Sequence, residues 1–249
     1  MSKKKLITVI SGANGGIGVE ILKKLSISNH TIYALVRKKN IEFTQTCSSF
    51  TKKYKNKIKI IECDFLDKKK VKEAIKVIRK EKNNIDNLIH TAGTIQSNLF
   101  QFTETDDLKK LYEVNLFSPF EITKEISKQM MDKKRKSNII FVSSTASTDP
   151  SIGRFAYASS KSALDITAKT LSLELARYNI LVNVVSPGLT KTKMMEENTS
   201  KKYVEDYLNH VALKRPANPK EIADVVLFLI SDKNSYITGQ IIRSDGGKF

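Results

Sequence analysis

Residues 6–18 read Leu6-Ile7-Thr8-Val9-Ile10-Ser11-Gly12-Ala13-Asn14-Gly15-Gly16-Ile17-Gly18. The first five are apolar and β-branched and predict a strand. Four glycines then fall within seven residues, and residues 17–25 carry amphipathic, helical spacing. A glycine-rich turn between a strand and a helix lets the backbone approach a pyrophosphate, while the helix N-terminus offers free N–H groups and a positive dipole. Gly12, Gly16 and Gly18 depart from the common G-x-G-x-x-G spacing. An ordinary tight turn would use similar glycines; the strand before and the helix after favour the phosphate.

The rest of the chain repeats this alternation. Residues 31–36, 58–61, 87–90, 138–142, 180–185 and 237–242 are strand-like, whereas 67–82, 108–131, 162–178 and 219–230 have helical spacing. Residues 41–54 are polar and fit neither period. Asp67 reads as an N-cap, and Asn218 with Pro219 and Glu221 as a capping-box start. Pro119 predicts an interruption inside 108–131. Strands alternating with helices predict an α/β fold: a doubly wound parallel sheet, Rossmann-type, with helices on both faces. The length of 249 residues suits one dinucleotide-binding and catalytic domain, residues 1–249. The polar stretch 190–218, with Met194 and Met195 near its start, reads as a disordered insertion or a substrate lid.

The chain has 43 Lys+Arg against 26 Asp+Glu, a net charge of +17. The lysines are spread over runs at 3–5, 52–57, 68–72 and 133–136, and A/T-rich codon usage yields the same Lys, Asn and Ile excess. Zinc-finger spacing, an RNA-binding signature and an aromatic stripe are absent, so no nucleic-acid partner is expected. No export-signal core and no long apolar run stands in the sequence, which predicts a cytoplasmic protein without a membrane span. Cys47 and Cys63 read as small buried hydrophobes, and His30, His90 and His210 lack metal-ligand spacing, so no metal is expected.

The chemistry centres on Tyr157 and Lys161. Four apart on a helix, they share a face. A phenol titrates near ~10, and a neighbouring ammonium favours the phenolate; three units of lowering would take roughly 4 kcal/mol. Ser143 and Ser144 follow the 138–142 strand, at a loop position that suits catalytic groups. At the end of the second strand, Val36-Arg37-Lys38-Lys39 holds a basic cluster where a 2′-hydroxyl acceptor would be an acid, which predicts NADP(H) over NAD(H). Asp64 either accepts from an adenine amino group or serves the helix after Asp67.

Together these motifs have a known counterpart. The glycine loop at 11–18, Thr91-Ala92-Gly93, Asn115, Ser144 thirteen before Tyr157, Lys161, Pro187-Gly188, Thr192 and the closing Asp245-Gly246-Gly247 resemble the single-domain branch of the short-chain dehydrogenase/reductase family over nearly the whole chain. The resemblance implies a tetrad of Asn115, Ser144, Tyr157 and Lys161. Tyr157 would be the acid in ketone reduction and the base in alcohol oxidation. Lys161 would lower its pKa and hold a ribose, Ser144 would orient the substrate oxygen, and Asn115 would hold a relay water. It further implies cofactor contacts from Gly12, Asn14, Gly16, Ile17, Gly18, Arg37, Asp64, Phe65, Ala92, Gly93, Tyr157, Lys161, Pro187, Gly188 and Thr192. His90 replaces a usual asparagine and reads as a satisfied core histidine.

Within the family the chain looks most like reductases of 3-oxoacyl thioesters on acyl carrier protein, by Val182–Gly188 and the Tyr236-Ile237-Thr238-Gly239 ending. That likeness implies a small carbonyl substrate, a possible carrier protein partner near Arg135 and Arg177, and a homodimer or homotetramer. Ile122, Ile126, Leu164, Leu171 and Val226 are the apolar residues on the assembling surfaces. A reductase of a sugar or cell-envelope ketone, and a non-catalytic dinucleotide sensor, are the alternatives; the complete tetrad favours an enzyme.

Overall fold

The computed structural model describes residues 5–28, 30–54, 56–81, 84–131, 135–149 and 151–249. Lys3, Lys4, Lys55, Lys133 and Lys134 of the lysine runs above, and Lys82 of the predicted 67–82 helix, lie outside the described residues. The first half of the chain gives β1 (Leu6–Ser11), α1 (Gly16–Ser26), β2 (His30–Val36), α2 (Ile41–Tyr54), β3 (Lys57–Glu62), α3 (Lys68–Lys80), β4 (Asn87–His90), α4 (Thr105–Tyr112) and α5 (Ser118–Ser127). The second half gives β5 (Ser137–Val142), α6 (Phe155–Leu175), β6 (Ile180–Pro187), α7 (Lys193–Asn198), α8 (Lys201–Asn209), α9 (Pro219–Ile230) and β7 (Ile241–Ser244).

The strands form one seven-stranded sheet in the order β3-β2-β1-β4-β5-β6-β7, and each paired neighbour is parallel. Parallel strands carry helices on both faces, so β2 and β6 are buried at every position. On one face Leu88, Ile139 and Val182 pack with Ile75 of α3, Ile122 of α5 and Leu164 of α6. On the other, Ile10, Ile89 and Val185 pack with Leu22 of α1, Phe43 of α2 and Val226 of α9. The strand order reverses between β1 and β4. A crevice opens beyond the carboxyl ends of strands at such a point.

Four local expectations are revised. Residues 41–54 form α2, whose Phe43 and Cys47 are buried against the sheet. The predicted 108–131 helix starts earlier, at Thr105, and passes through a π-turn at Glu113–Phe117. The wider turn lets Pro119 sit in the first turn of α5, where its missing N–H costs little, so the proline starts a helix segment. The last strand is Ile241–Ser244, not 237–242. Gly239 has φ +70°, and the Asn183 amide donates to Ile237 O at 2.7 Å and accepts from Gln240 N at 3.1 Å. Those side-chain bonds hold 237–240 as a loop. Residues 190–218, finally, contain two short helices, α7 and α8, capped by Thr192 and Ser200.

The residues named for assembly are also reassigned. Ile122, Ile126, Leu164 and Val226 are core, and Leu171 packs against it. Phe117, Phe120, Ile166 and Leu173 are among the exposed apolar residues of the same helical segments. Cys47 and Cys63 are buried free thiols, pushed by burial to about 11 and about 12, and inert at neutral pH. No helix among the described residues is long and apolar enough to cross a membrane, and they contain no cluster of three or more potential metal ligands.

Candidate active site

The loops after β1, β2, β4, β5 and β6 surround one cleft of about 1,280 Å³. Its phosphate end is built by the glycine loop. Gly12 has φ +69°, and a Cβ there would stand 2.6 Å from Ala92 N; one on Gly18 would stand 2.2 Å from Gly12 O. Neither position admits a side chain, so the β1 and β4 loops close on each other. Thr91 reinforces this by donating from its backbone N to Ser11 O at 3.1 Å and from Oγ1 at 2.7 Å. Helix α1 has no side-chain cap at Gly15 and no acid in its first turn. Its N-terminal N–H groups and dipole face the cleft, where an anion would be stabilised. Asn14, Gly16 and Ile17 line this end.

Arg37, Lys38 and Lys39 line the cleft beyond β2 and supply positive charge. Asp64 and Phe65 line it beyond β3. Asp64 accepts from Leu66 N at 3.0 Å in its own turn, while Asp67 caps α3, so Asp64 is not the helix cap. Ala92, Gly93, Pro187, Gly188 and Thr192 complete the wall. Thr192 stands against Gly16, whose added Cβ would lie 2.7 Å from the threonine methyl. All fifteen residues read as cofactor contacts thus share one cleft.

Tyr157 and Lys161 rise from the first two turns of α6 and are both buried. Lys161 Nζ lies 5.9 Å from the Tyr157 ring centroid and donates to Val142 O at 3.0 Å. Burial lowers the ammonium to about 8, against the raising pull of Asp165. Burial also raises the phenol, against the pull of the nearby Ser144 hydroxyl and the Arg154 charge. The expected lowering of the phenol by Lys161 is therefore not what the protein alone produces: desolvation comes first, and Lys161 is not among the groups that shift the phenol. Ser144 caps a short 3₁₀ turn, accepting from Ala146 N at 3.2 Å, and lines the cleft beside Tyr157. Ser143 is directed the other way, toward Lys161 O at 3.5 Å.

Asn115 does not line the cleft. It sits on the π-turn, where Oδ1 accepts from Thr94 N at 2.8 Å and Nδ2 donates to Thr94 O at 2.9 Å and Ser160 Oγ at 3.0 Å. The amide thus pins the β4 loop to α6. A Cβ on Gly93 would lie 3.4 Å from both Asn115 Oδ1 and Lys161 Nζ, so the two converge behind that glycine.

Two residues escaped sequence reasoning. Asp165 lies one turn beyond Lys161 and buries both carboxylate oxygens without a hydrogen-bond partner among the described residues. The Ser143 and Ser147 hydroxyls are near enough to pull its pKa down, but neither forms a well-directed bond, and burial raises it overall. An acid eight residues after Tyr157 on the same buried face was its only signal. Arg154, three before Tyr157, is buried in the cleft wall. Each unsatisfied buried polar atom costs about 1–3 kcal/mol.

Arg135 and Arg177 sit at the other end of the sheet. Arg135 precedes β5 and pairs with Asp86, while Arg177 follows α6, which runs 21 residues, about 30 Å, away from the cleft.

A family model described as enoyl-(acyl carrier protein) reductase matches residues 12–248. A 3-oxoacyl-[acyl-carrier-protein] reductase of Buchnera aphidicola subsp. Schizaphis graminum is 34% identical over 249 residues, covering 100% of this chain and 99% of the relative. The solved short-chain dehydrogenase/reductase of Serratia marcescens superposes with TM-score 0.88 at 27% identity, covering 97% of each chain. A 4-hydroxyisoleucine dehydrogenase solved with NADH also gives 0.88, at 28% identity, covering 97% of this chain and 98% of that one.

Proposed function

The chain belongs to the short-chain dehydrogenase/reductase family, and from that membership we propose that it is an NADP(H)-dependent reductase of 3-oxoacyl thioesters with Tyr157 as its acid/base. The family makes it an oxidoreductase acting on a CH–OH group with a nicotinamide dinucleotide. What supports Tyr157 as the acid/base is its place in the cleft wall, buried beside Ser144 and Lys161. Such a phenol stays protonated at neutral pH, the form that donates to a carbonyl oxygen as it gains charge. When bound, the reduced nicotinamide supplies the hydride. Ser144 orients the carbonyl oxygen. Lys161, charged below about 8, holds a ribose hydroxyl.

The dinucleotide fits the cleft on the chain's own features: an uncapped α1, two positions closed to any Cβ, and a basic end beyond β2. Arg37 would hold the 2′-phosphate. Residues 190–218 act as the substrate lid, supported by Met194, Met195, Tyr203 and Tyr207 along the cleft. Acyl carrier protein is the proposed partner, and Lys110 and Lys193 at the cleft replace Arg135 and Arg177 as its basic contacts. A cytoplasmic homodimer or homotetramer completes the reading, with exposed Phe117 and Phe120 as contact residues.

The test follows NADPH and NADH oxidation with acetoacetyl and crotonyl thioesters, on carrier protein and on pantetheine. Acetoacetyl turnover preferring NADPH and the carrier is expected. Turnover of crotonyl thioester alone would replace ketone reduction by enoyl reduction. Arg37→Asp should cut the NADPH-to-NADH preference by about tenfold or more. An unmoved ratio would put the 2′-phosphate elsewhere.

A further inference from the structure

Among the described residues, one buried cation on the substrate side of the cleft pairs with no acid. Arg154 is 8% exposed and stands where the chain enters α6, one turn before Tyr157. Its Nη2 donates to Asn198 O at 3.0 Å, at the end of α7. Its guanidinium carbon lies 5.7 Å from the Tyr203 ring centroid on α8. These contacts fix the guanidinium plane. Its Nη1 is buried and meets no acceptor among the described residues. Asp149, an acid on the same cleft, is committed to Arg243 at 2.8 Å and Lys248 at 2.9 Å. A second buried group, Tyr207 Oη, also lacks a partner among the described residues and lies 3.0 Å from where a Cβ on Gly188 would stand.

A guanidinium removed from water is costly unless an anion meets it. The protein uses one edge of this fork to hold the lid segment and leaves the other enclosed in the cleft wall without an acceptor among the described residues. Helix α6 adds to the same field, since it begins there with neither a side-chain cap nor an acid in its first turn. The matching group is a carboxylate, which takes a charge-assisted bond from a guanidinium. One helical turn, about 5 Å, separates Arg154 from Tyr157, so that carboxylate belongs within a few bonds of the reacting carbon.

We propose that Arg154 binds a substrate carboxylate, and that the chain reduces free short-chain 3-oxo acids as well as the carrier-bound thioesters and prefers them to simple neutral ketones, Tyr207 giving a second bond to the acid. This rests on the reductase reading of Tyr157. The carbonyl carbon gains a hydride from the reduced nicotinamide, which is oxidised. The carbonyl oxygen gains the Tyr157 proton, and the carboxylate is unchanged.

The test compares acetoacetate with the neutral 2,4-pentanedione for wild type, Arg154→Gln and Arg154→Lys. Wild type should favour acetoacetate in kcat/KM by about 10- to 100-fold, mostly through KM. Arg154→Gln should collapse that ratio and Arg154→Lys should restore part of it. Equal losses on both ketones would overturn the anion site and leave Arg154 as a fastener for the lid. Thermal shift with NADPH separates the two readings. Acetoacetate raising the Tm of wild type but not of Arg154→Gln, with no ketone turned over, would retain the anion site and sink the reductase. Turnover of both ketones without charge preference would do the reverse.

Discussion

Two adjacent strands, β4 and β5, end in buried polar clusters that differ in one respect. At the end of β4, His90 closes its own bonding. Nδ1 meets Ser11 Oγ at 3.2 Å, Nε2 meets Thr123 Oγ1 at 2.9 Å, and the ring stacks on Phe141 with centroids 5.0 Å apart. Beyond β5 the bonding stays open: Arg154 Nη1, Asp165 Oδ1 and Oδ2, and Ser147 Oγ are buried without partners among the described residues. Both clusters hold titratable groups displaced by burial. Displacement alone therefore does not mark a site. A closed network rigidifies the sheet, while an open one waits for atoms the chain does not supply.

The largest effect should come from the open cluster. Tyr157→Phe keeps the ring and removes the proton donor, so kcat should fall by about 10²- to 10⁴-fold while NADPH still quenches or shifts in fluorescence on binding. Full turnover in that variant would dissolve the contrast between the two strand ends. A smaller effect belongs to Asp165, whose charge raises the Lys161 pKa. Asp165→Asn should move the alkaline limb of the kcat/KM profile downward from about 8, by about one unit, because the ammonium then loses its proton sooner. A limb that stays in place would make Asp165 a packing residue.

Much of the contrast was legible in the sequence, though unevenly. The 11–18 loop, the βαβ alternation and the Asn218 capping box rest on local chemistry, and the structure contains each of them. Tyr157 and Lys161 announce themselves by helical spacing. Arg154 and Asp165 do not, because one charge in a loop or on a helix acquires meaning only when tertiary packing removes its water. Arg135 and Arg177 show the same limit in reverse: sequence proximity to β5 and α6 hid that they flank the ends of those elements away from the cleft. Residues 41–54 were ambiguous because α2 turns only Phe43 and Cys47 to full burial and leaves a polar face outside. The closing strand was misplaced because Asn183, 54 positions from Ile237, decides where the ladder begins.

The closed cluster predicts a modest effect of another kind, on stability. Burial holds His90 near 3 and His30 near 4 in the folded chain, against an unfolded value of about 6.5. Both are neutral when folded, so the unfolded chain binds protons first as pH falls below 6.5. Stability is then full above that value and is lost toward the folded pKa values, by at most about 1.4 kcal/mol per pH unit for each histidine. Urea midpoints at pH 7, 6 and 5 should show that slope. His90→Gln keeps a donor and an acceptor near Ser11 and Thr123 but cannot titrate, so it should remove roughly half of the slope while lowering stability at pH 7 by about 1 kcal/mol for the lost ring stacking. A slope identical to wild type would mean that His90 is already charged in the fold. Its cluster would then be as open as the one beyond β5.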